Sequence, residues 1–244
     1  MNEQKALKQI ALVKTGCTIE QIKPVYGDFE EWFAQGLGVE ALLQVDVFRG
    51  EQIPAPDTLA GVVITGSPAM VSARHAWSEN TARWLRRAVK AGLPILGVCY
   101  GHQLLAHALG GQVGPNPAGR QIGTVATHLI EYNKKDTLLG HLSSTFMAQA
   151  SHAEVVLELP PGARRLATSP LDDNFAIRFG KSVWGVQFHP EFSAAVTSQY
   201  IHYRSEELLN EGLDPEALQG SVKDTKESTS VLQKFASLIR KRNE

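Results

Sequence analysis

Four short apolar runs in the first hundred residues constrain the fold most tightly. They are "QIALVKTG" (residues 9–16), "ALLQVDVF" (41–48), "LAGVVITG" (59–66) and "LPILGVC" (93–99). Each is too short for a buried helix and rich in β-branched residues, so each reads as a strand. The fourth is continuously apolar, as a strand covered on both faces must be. Helical patterns lie between the runs. "GDFEEWFAQGLG" starts on Asp28 as N-cap and spaces Phe29, Trp32 and Phe33 at helical intervals. "SENTARWLRRAVKAG" repeats the pattern and ends on Gly92. Strands alternating with helices predict an α/β fold with a parallel sheet.

The texture changes after Gly110-Gly111. "RQIGTVATHLI", "TFMAQA", "AEVVLEL", "ARRLATS", "NFAIRFG" and "VWGVQFH" are short strand candidates separated by turn residues. They predict a mixed or antiparallel second layer. From about Ser193 the chain reads as helical, with a polar loop, "QGSVKDTKEST", before an amphipathic last segment, "SVLQKFASLIRKR". No repeat or composition shift divides the chain. The expectation is one domain over residues 1–244, with a core at about 8–200 and a helical C-terminal extension at about 201–244.

At 244 residues the chain can bury a full core, and a formal net charge of -1 gives nucleic acid or an anionic membrane no electrostatic grip. Its two cysteines, Cys17 and Cys99, are too few for a disulfide scaffold and fit a reducing compartment. The opening "MNEQKALKQIALVKTG" has no apolar core of signal-peptide length, and no stretch approaches a membrane span. A cytoplasmic protein is expected.

Chemistry enters at "PILGVCYGHQLL", residues 94–105. A strand that feeds a helix through a glycine-flanked turn aims the intervening side chain out of the sheet. Gly97-Val98-Cys99-Tyr100-Gly101 is the thiol version of the Gly-x-Ser-x-Gly elbow. Cys99 would sit at the N-terminus of the next helix, where the dipole favours thiolate. The Tyr100 amide is a natural oxyanion donor there. Cys17 has no such surroundings and reads as a small core residue.

A thiol nucleophile needs a base, and the base needs a group to fix its tautomer. "GVQFHPEF" supplies both. In an extended segment His189 and Glu191, two apart, project to the same side, and Pro190 stiffens the unit. The order nucleophile, histidine, acid, with the last two adjacent, differs from that of α/β-hydrolases, where the acid precedes the histidine.

In these pieces the chain resembles the class I glutamine amidotransferases of the Cys-His-Glu triad type. The matching stretches are "GVVITGSPAMV", "PILGVCYGHQLLAHALGG", "QASHAEVV" and "VWGVQFHPEF", in the family's order, from about Gly61 to Phe192. Within the family it looks most like lone-domain, GMP-synthase-like members. The resemblance implies an open, mostly parallel, flavodoxin-like sheet with helices on both faces, a small antiparallel addition and a helical tail. It implies Cys99 as nucleophile, His189 as base and Glu191 as orienting acid. It also implies oxyanion donors from the Tyr100 amide and the Gly66-Ser67 turn, where many members carry Gly-Gly-Pro. Gln103 would lie beside the bound glutamine side chain, and Ser151-His152 would hold its α-amino and α-carboxylate groups. The implied reaction is attack on a γ-carboxamide, release of ammonia and hydrolysis of a γ-glutamyl thioester.

No cofactor is implied. His102 and His107 are five apart, wrong for metal ligation from one helix face, and no phosphate-binding glycine loop occurs. Three readings stay open. The chain could be a glutaminase whose synthetase is a separate chain, a stand-alone hydrolase or transferase acting on γ-glutamyl amides, peptides or conjugates, or a silent module that binds a metabolite or partner. A bare scaffold has no need of Cys99, His189 and Glu191 together, which weighs against the third. The apolar face of the last segment (Val231, Phe235, Leu238, Ile239) could dock a partner, although packing on its own domain is the commoner fate of so short a tail. Tyr26, Phe29, Trp32 and Trp77 could rim the pocket or belong to the core. Arg120 is a candidate contact for a substrate carboxylate.

Overall fold

Every apolar run of the first hundred residues becomes a strand. The structure, a computed structural model, describes residues 8–130 and 135–243; the first seven residues, part of the stretch read above for a signal peptide, lie outside it. In chain order the first half comprises β1 (Ile10–Lys14), α1 (Lys23–Tyr26), α2 (Phe29–Leu37), β2 (Leu43–Asp46), β3 (Gly61–Ile64), α3 (Ala76–Lys90), β4 (Ile95–Val98) and α4 (Tyr100–Ala108). Seven further strands follow: β5 (Gln112–Pro115), β6 (Gln121–Leu129), β7 (Thr145–His152), β8 (Glu154–Glu158), β9 (Arg164–Thr168), β10 (Ala176–Gly180) and β11 (Val183–Val186). The chain closes with α5 (Ala194–Tyr203), α6 (Ser205–Asn210), α7 (Pro215–Ser221) and α8 (Lys226–Asn243).

One nine-stranded sheet has the order β2-β1-β3-β4-β11-β10-β9-β6-β7. The five strands from β2 to β11 are parallel, and the rest continue the same sheet antiparallel. The expected second layer is therefore an extension of the first sheet, and among the described residues only β5 and β8 form a separate ribbon. The reason lies in the connections. Two residues, Lys181 and Ser182, join β10 to β11, which allows a hairpin but no parallel crossover. The hairpin also pairs the edge that β11 would otherwise expose.

Side-chain alternation assigns the parallel strands to two cores. Ala11, Val13, Val62, Ile64 and Ile95 face α3 and α4 with Leu85, Tyr100 and Leu104. Leu12, Val63, Leu96 and Trp184 face α2 and α8 with Phe33, Leu37 and Phe235. Helix α8 is thus core: Val231, Leu232, Phe235, Ala236 and Ile239 are all buried, and Phe235 meets Trp184 edge-on at 6.4 Å. Its apolar face is covered by its own chain rather than offered to a partner. No described helix is long and apolar enough to cross a membrane.

Candidate active site

The carboxyl ends of β1, β3, β4 and β11 converge on one side of the sheet. Strand order turns there, with β2 to one side of β1 and β3 to the other, and open parallel sheets gather their sites at such points. A cavity of about 110 Å³ occupies this place. Cys17, Thr18 and Ile19 line it after β1, Ser67 and Pro68 after β3, Cys99 after β4 and His189 after β11. Phe29, Ser151, Tyr200 and Arg204 complete the wall.

Cys99 is the N-cap of α4 with φ 51° and ψ -103°, a positive-φ conformation that costs a side-chain-bearing residue about 1–3 kcal/mol. Neighbours hold it there. Its N–H donates to Val186 O at 2.9 Å, and its carbonyl accepts from Gln103 N at 3.1 Å. The two flanking glycines let the turn form. A Cβ on Gly101 would lie 2.5 Å from Ile64 O, and one on Gly97 would collide with the Gly101 carbonyl. The first turn of α4 therefore lies directly on β3 and β4, and Cys99 is forced outward. The thiol is 6% exposed and lies 3.8 Å from the Ser151 carbonyl.

His189 does not sit on a strand. β11 ends at Val186, and His189-Pro190-Glu191-Phe192 forms a turn in which Phe192 N donates to His189 O at 3.3 Å. Proline is favoured at the second position of such a turn, so Pro190 folds Glu191 back onto the imidazole. His189 Nδ1 and Glu191 Oε1 are 2.7 Å apart. The expected pairing is present, but a turn makes it where strand alternation was anticipated. The imidazole stacks on Phe192 with centroids 4.0 Å apart, and Phe192 in turn packs on Phe29 and Trp32. Burial pulls the His189 pKa down, yet the Glu191 carboxylate and the Cys99 sulfur overcome it and raise the value to about 10.

Gly66 fits under this pair: a Cβ there would lie 2.9 Å from His189 Cε1 and 3.6 Å from Cys99 Cβ. Thr15 Oγ1 donates to Gly66 O at 2.9 Å, and Ser67 Oγ donates to Thr15 O at 2.6 Å, so the turn is tied to β1. The serine that stands where the family often has glycine spends its hydroxyl on the backbone. The Tyr100 ring is buried and its hydroxyl donates to Ser78 Oγ at 2.7 Å, which leaves its N–H, in the first turn of α4, as the group to serve as oxyanion donor.

The remaining expected residues divide. Ser151 lines the cavity; the His152 side chain does not. It is buried against Phe175, with Nε2 3.9 Å from Asp172 Oδ2, and burial together with His189 and other cations presses its pKa to about 3. Only its backbone can serve a ligand. Gln103 is also off the cavity wall: its amide donates to Glu154 O at 2.6 Å and to Gln187 Oε1 at 3.0 Å. Arg120 is held by Glu207 and Glu211 at 2.5–2.9 Å and leaves no open face to the cavity. Among the aromatic candidates Phe29 lines the cavity, Trp32 backs it, and Trp77 stacks on Tyr100 elsewhere. The sequence reading missed Cys17, Thr18, Tyr200 and Arg204. Position after the first strand was the available signal for Cys17 and Thr18, and a one-turn helical spacing that for Tyr200 and Arg204.

Comparison with known proteins gives the family and the fold. A family model described as glutamine amidotransferase class-I matches residues 24–205. The chain is 37% identical over 142 residues to a glutamine-hydrolyzing GMP synthase of Aeropyrum pernix, a match covering 58% of this chain and 25% of that protein. It thus spans about a quarter of that relative's length. It is 32% identical to one subunit of the glutamine-hydrolyzing GMP synthase of Methanocaldococcus jannaschii, over 71% of this chain and 84% of that one. It is 27% identical to gamma-glutamyl peptidase 3 of Arabidopsis thaliana, over 93% and 91% of the two chains. The crystal structure of a glutamine amidotransferase from Thermotoga maritima superposes with a TM-score of 0.76 at 21% identity, over 96% and 98% of the two chains. At that identity the likeness speaks to the fold.

Proposed function

The chain belongs to the class-I glutamine amidotransferase family, and from that membership we propose that it hydrolyses γ-glutamyl amides through a thioester on Cys99. The observation that carries the reading is a strained, outward-facing cysteine sharing one small cavity with a glutamate-paired histidine.

The Cys99 sulfur attacks the γ-carbonyl carbon of the bound substrate. The developing oxyanion is met by the Tyr100 N–H and by backbone N–H groups of Gly66-Ser67. Protonated His189 passes its proton to the departing nitrogen, which leaves as ammonia or an amine. Water then gives a proton to His189, attacks the thioester carbonyl, releases glutamate and frees the sulfur. Glu191 holds the imidazole in one tautomer and stabilises its charged form throughout.

Two substrates are in view. Similarity from end to end with a gamma-glutamyl peptidase favours γ-glutamyl peptides and a chain that works alone. Similarity to a chain that forms one part of a GMP synthase favours glutamine, with ammonia passed to a separate synthetase chain. Glutamate release by the purified protein, offered glutamine and a panel of γ-glutamyl peptides, separates them. Release from peptides without added protein supports the first, and slow release from glutamine alone the second. Cys99→Ala is expected to lower either rate by ~10⁴-fold or more. Unchanged turnover in that variant would end the proposal.

A further inference from the structure

Among the described residues on the cavity wall, Arg204 is the one cation besides His189, and it is held ready for an anion. It stands where the chain passes from α5 to α6, serving as C-cap of one and N-cap of the other. Its N–H donates to Tyr200 O at 3.2 Å, which places Tyr200 and Arg204 one turn apart on the cavity side. Nη1 donates to Glu207 Oε2 at 2.8 Å. The other oxygen of Glu207 accepts from Arg120 Nη2 at 2.5 Å, and Arg120 is fixed in turn by Glu211. The guanidinium is thereby pinned from outside. Its Nε, by contrast, is buried with no hydrogen-bond partner.

A buried N–H on a charged group is costly to leave unpaired, and no Asp or Glu side chain is among the described residues lining the cavity. The partnerless donor belongs to a side chain that lines the space holding the proposed nucleophile, and a planar guanidinium edge matches a carboxylate better than any other common group. The cavity is small, so an anion beside Arg204 belongs to the molecule whose amide reaches Cys99.

We propose that Arg204 is the carboxylate anchor of this site and sets its preference for substrates that carry a free carboxylate near the scissile γ-amide. The inference rests on the reading of the cavity as a γ-glutamyl amide site. The carboxylate has two sources: the α-carboxylate of the glutamyl unit, or that of an amino acid in the leaving group. Arg204 lines both this cavity and a separate outer depression with Tyr203, Glu206, Glu207, Asn210 and Glu211, and the experiment distinguishes the two sources.

Binding in the Cys99→Ala background tests this apart from turnover. Calorimetry would compare glutamine with 4-aminobutanamide, which lacks the α-carboxylate, and γ-glutamylglycine with γ-glutamylmethylamide, which lacks the second one. With Arg204 present, one pair should differ by ~10- to 100-fold in Kd, and Arg204→Met should erase that difference. The pair that responds identifies the carboxylate. Arg204→Lys, which keeps the charge without the fork, should retain part of the difference; it carries the test alone if circular dichroism finds Arg204→Met unfolded. A difference that persists undiminished in both variants overturns the proposal, as does the lack of any difference with Arg204 in place. Glutamate release by the Cys99 protein decides the hydrolytic reading separately. Absent release with an intact binding difference defeats hydrolysis and leaves the anchor standing. Release without a binding difference does the reverse.

Discussion

His189 is a buried histidine that the site holds in its charged form. Desolvation alone would keep the buried ring neutral, but Glu191 at 2.7 Å and the Cys99 sulfur hold it protonated to about pH 10. The sign of the linkage follows. A histidine whose folded pKa is raised contributes stability that is complete below its unfolded value of 6.5 and is lost as pH rises through about 10. In the proposed mechanism, the proton that His189 would give to a leaving amine is available over the same range. Glu191→Gln removes the largest influence raising the pKa, so the alkaline limb of the kcat/KM profile should move to lower pH, with the rate at neutral pH reduced. An alkaline limb that stays in place would mean that Glu191 only orients the ring.

At the level of elements, the loop from β1 into α2 forms one wall of the cavity, and Asp28 organises it. Its carboxylate accepts from Thr18 N and Phe29 N at 2.8 Å each, while Glu31 reaches back to the Asp28 N–H at 2.8 Å to complete a capping box. Lys14, buried on β1, and Lys23 lie 3.4 Å from the same carboxylate. Burial raises the Asp28 pKa, but these N–H donors and the two lysines outweigh it and leave the value below 3.8. Its stabilisation is therefore present above pH 3.8 and is lost as the pH falls through the lower folded value. Asp28→Ala should cost about 1–2 kcal/mol at neutral pH, seen as a lower urea midpoint, and should flatten the acid limb of the stability curve. Thr18 and Phe29 both line the cavity, so the variant should also weaken ligand binding. The capping box was legible in the letters, since Asp28 and Glu31 stand three apart before an apolar helix face. The part of Lys14 in neutralising it was not, because β1 meets α2 only in three dimensions.

For the whole molecule, α8 matters most among the parts without catalytic chemistry. It lays Phe235 against Trp184 of β11, the strand that leads to His189, and none of its described residues lines the cavity. Phe235 is fully buried, so Phe235→Ala should cost about 3–5 kcal/mol. For a chain of this size that corresponds to a fall in Tm on the order of 10 °C. A melting temperature within a degree or two of the parent would place α8 outside the cooperative core. The amphipathic face of α8 was visible at helical spacing, but the sequence could not say whether a partner or its own sheet covered it. That is a question of what lies opposite, and the answer comes from Trp184 of β11 together with α2 and β7.

By itself the sequence determined the strands and helices of the parallel half and singled out the candidate catalytic groups. Gly97 and Gly101 flank Cys99 because backbone passes within contact distance of both, and glycine alone survives there. His189 and Glu191 lie two apart with proline between them, a local relation that no distant residue can alter. Tertiary structure decided everything that depends on crossing distance. It continued the parallel sheet into an antiparallel one, occupied Arg120 with Glu207 and Glu211, turned His152 and Gln103 inward, and brought Arg204 to the cavity from more than a hundred positions beyond Cys99. Spacing encodes what neighbours along the chain do. Which charge is already paired, and which is left facing a ligand, depends on neighbours in space.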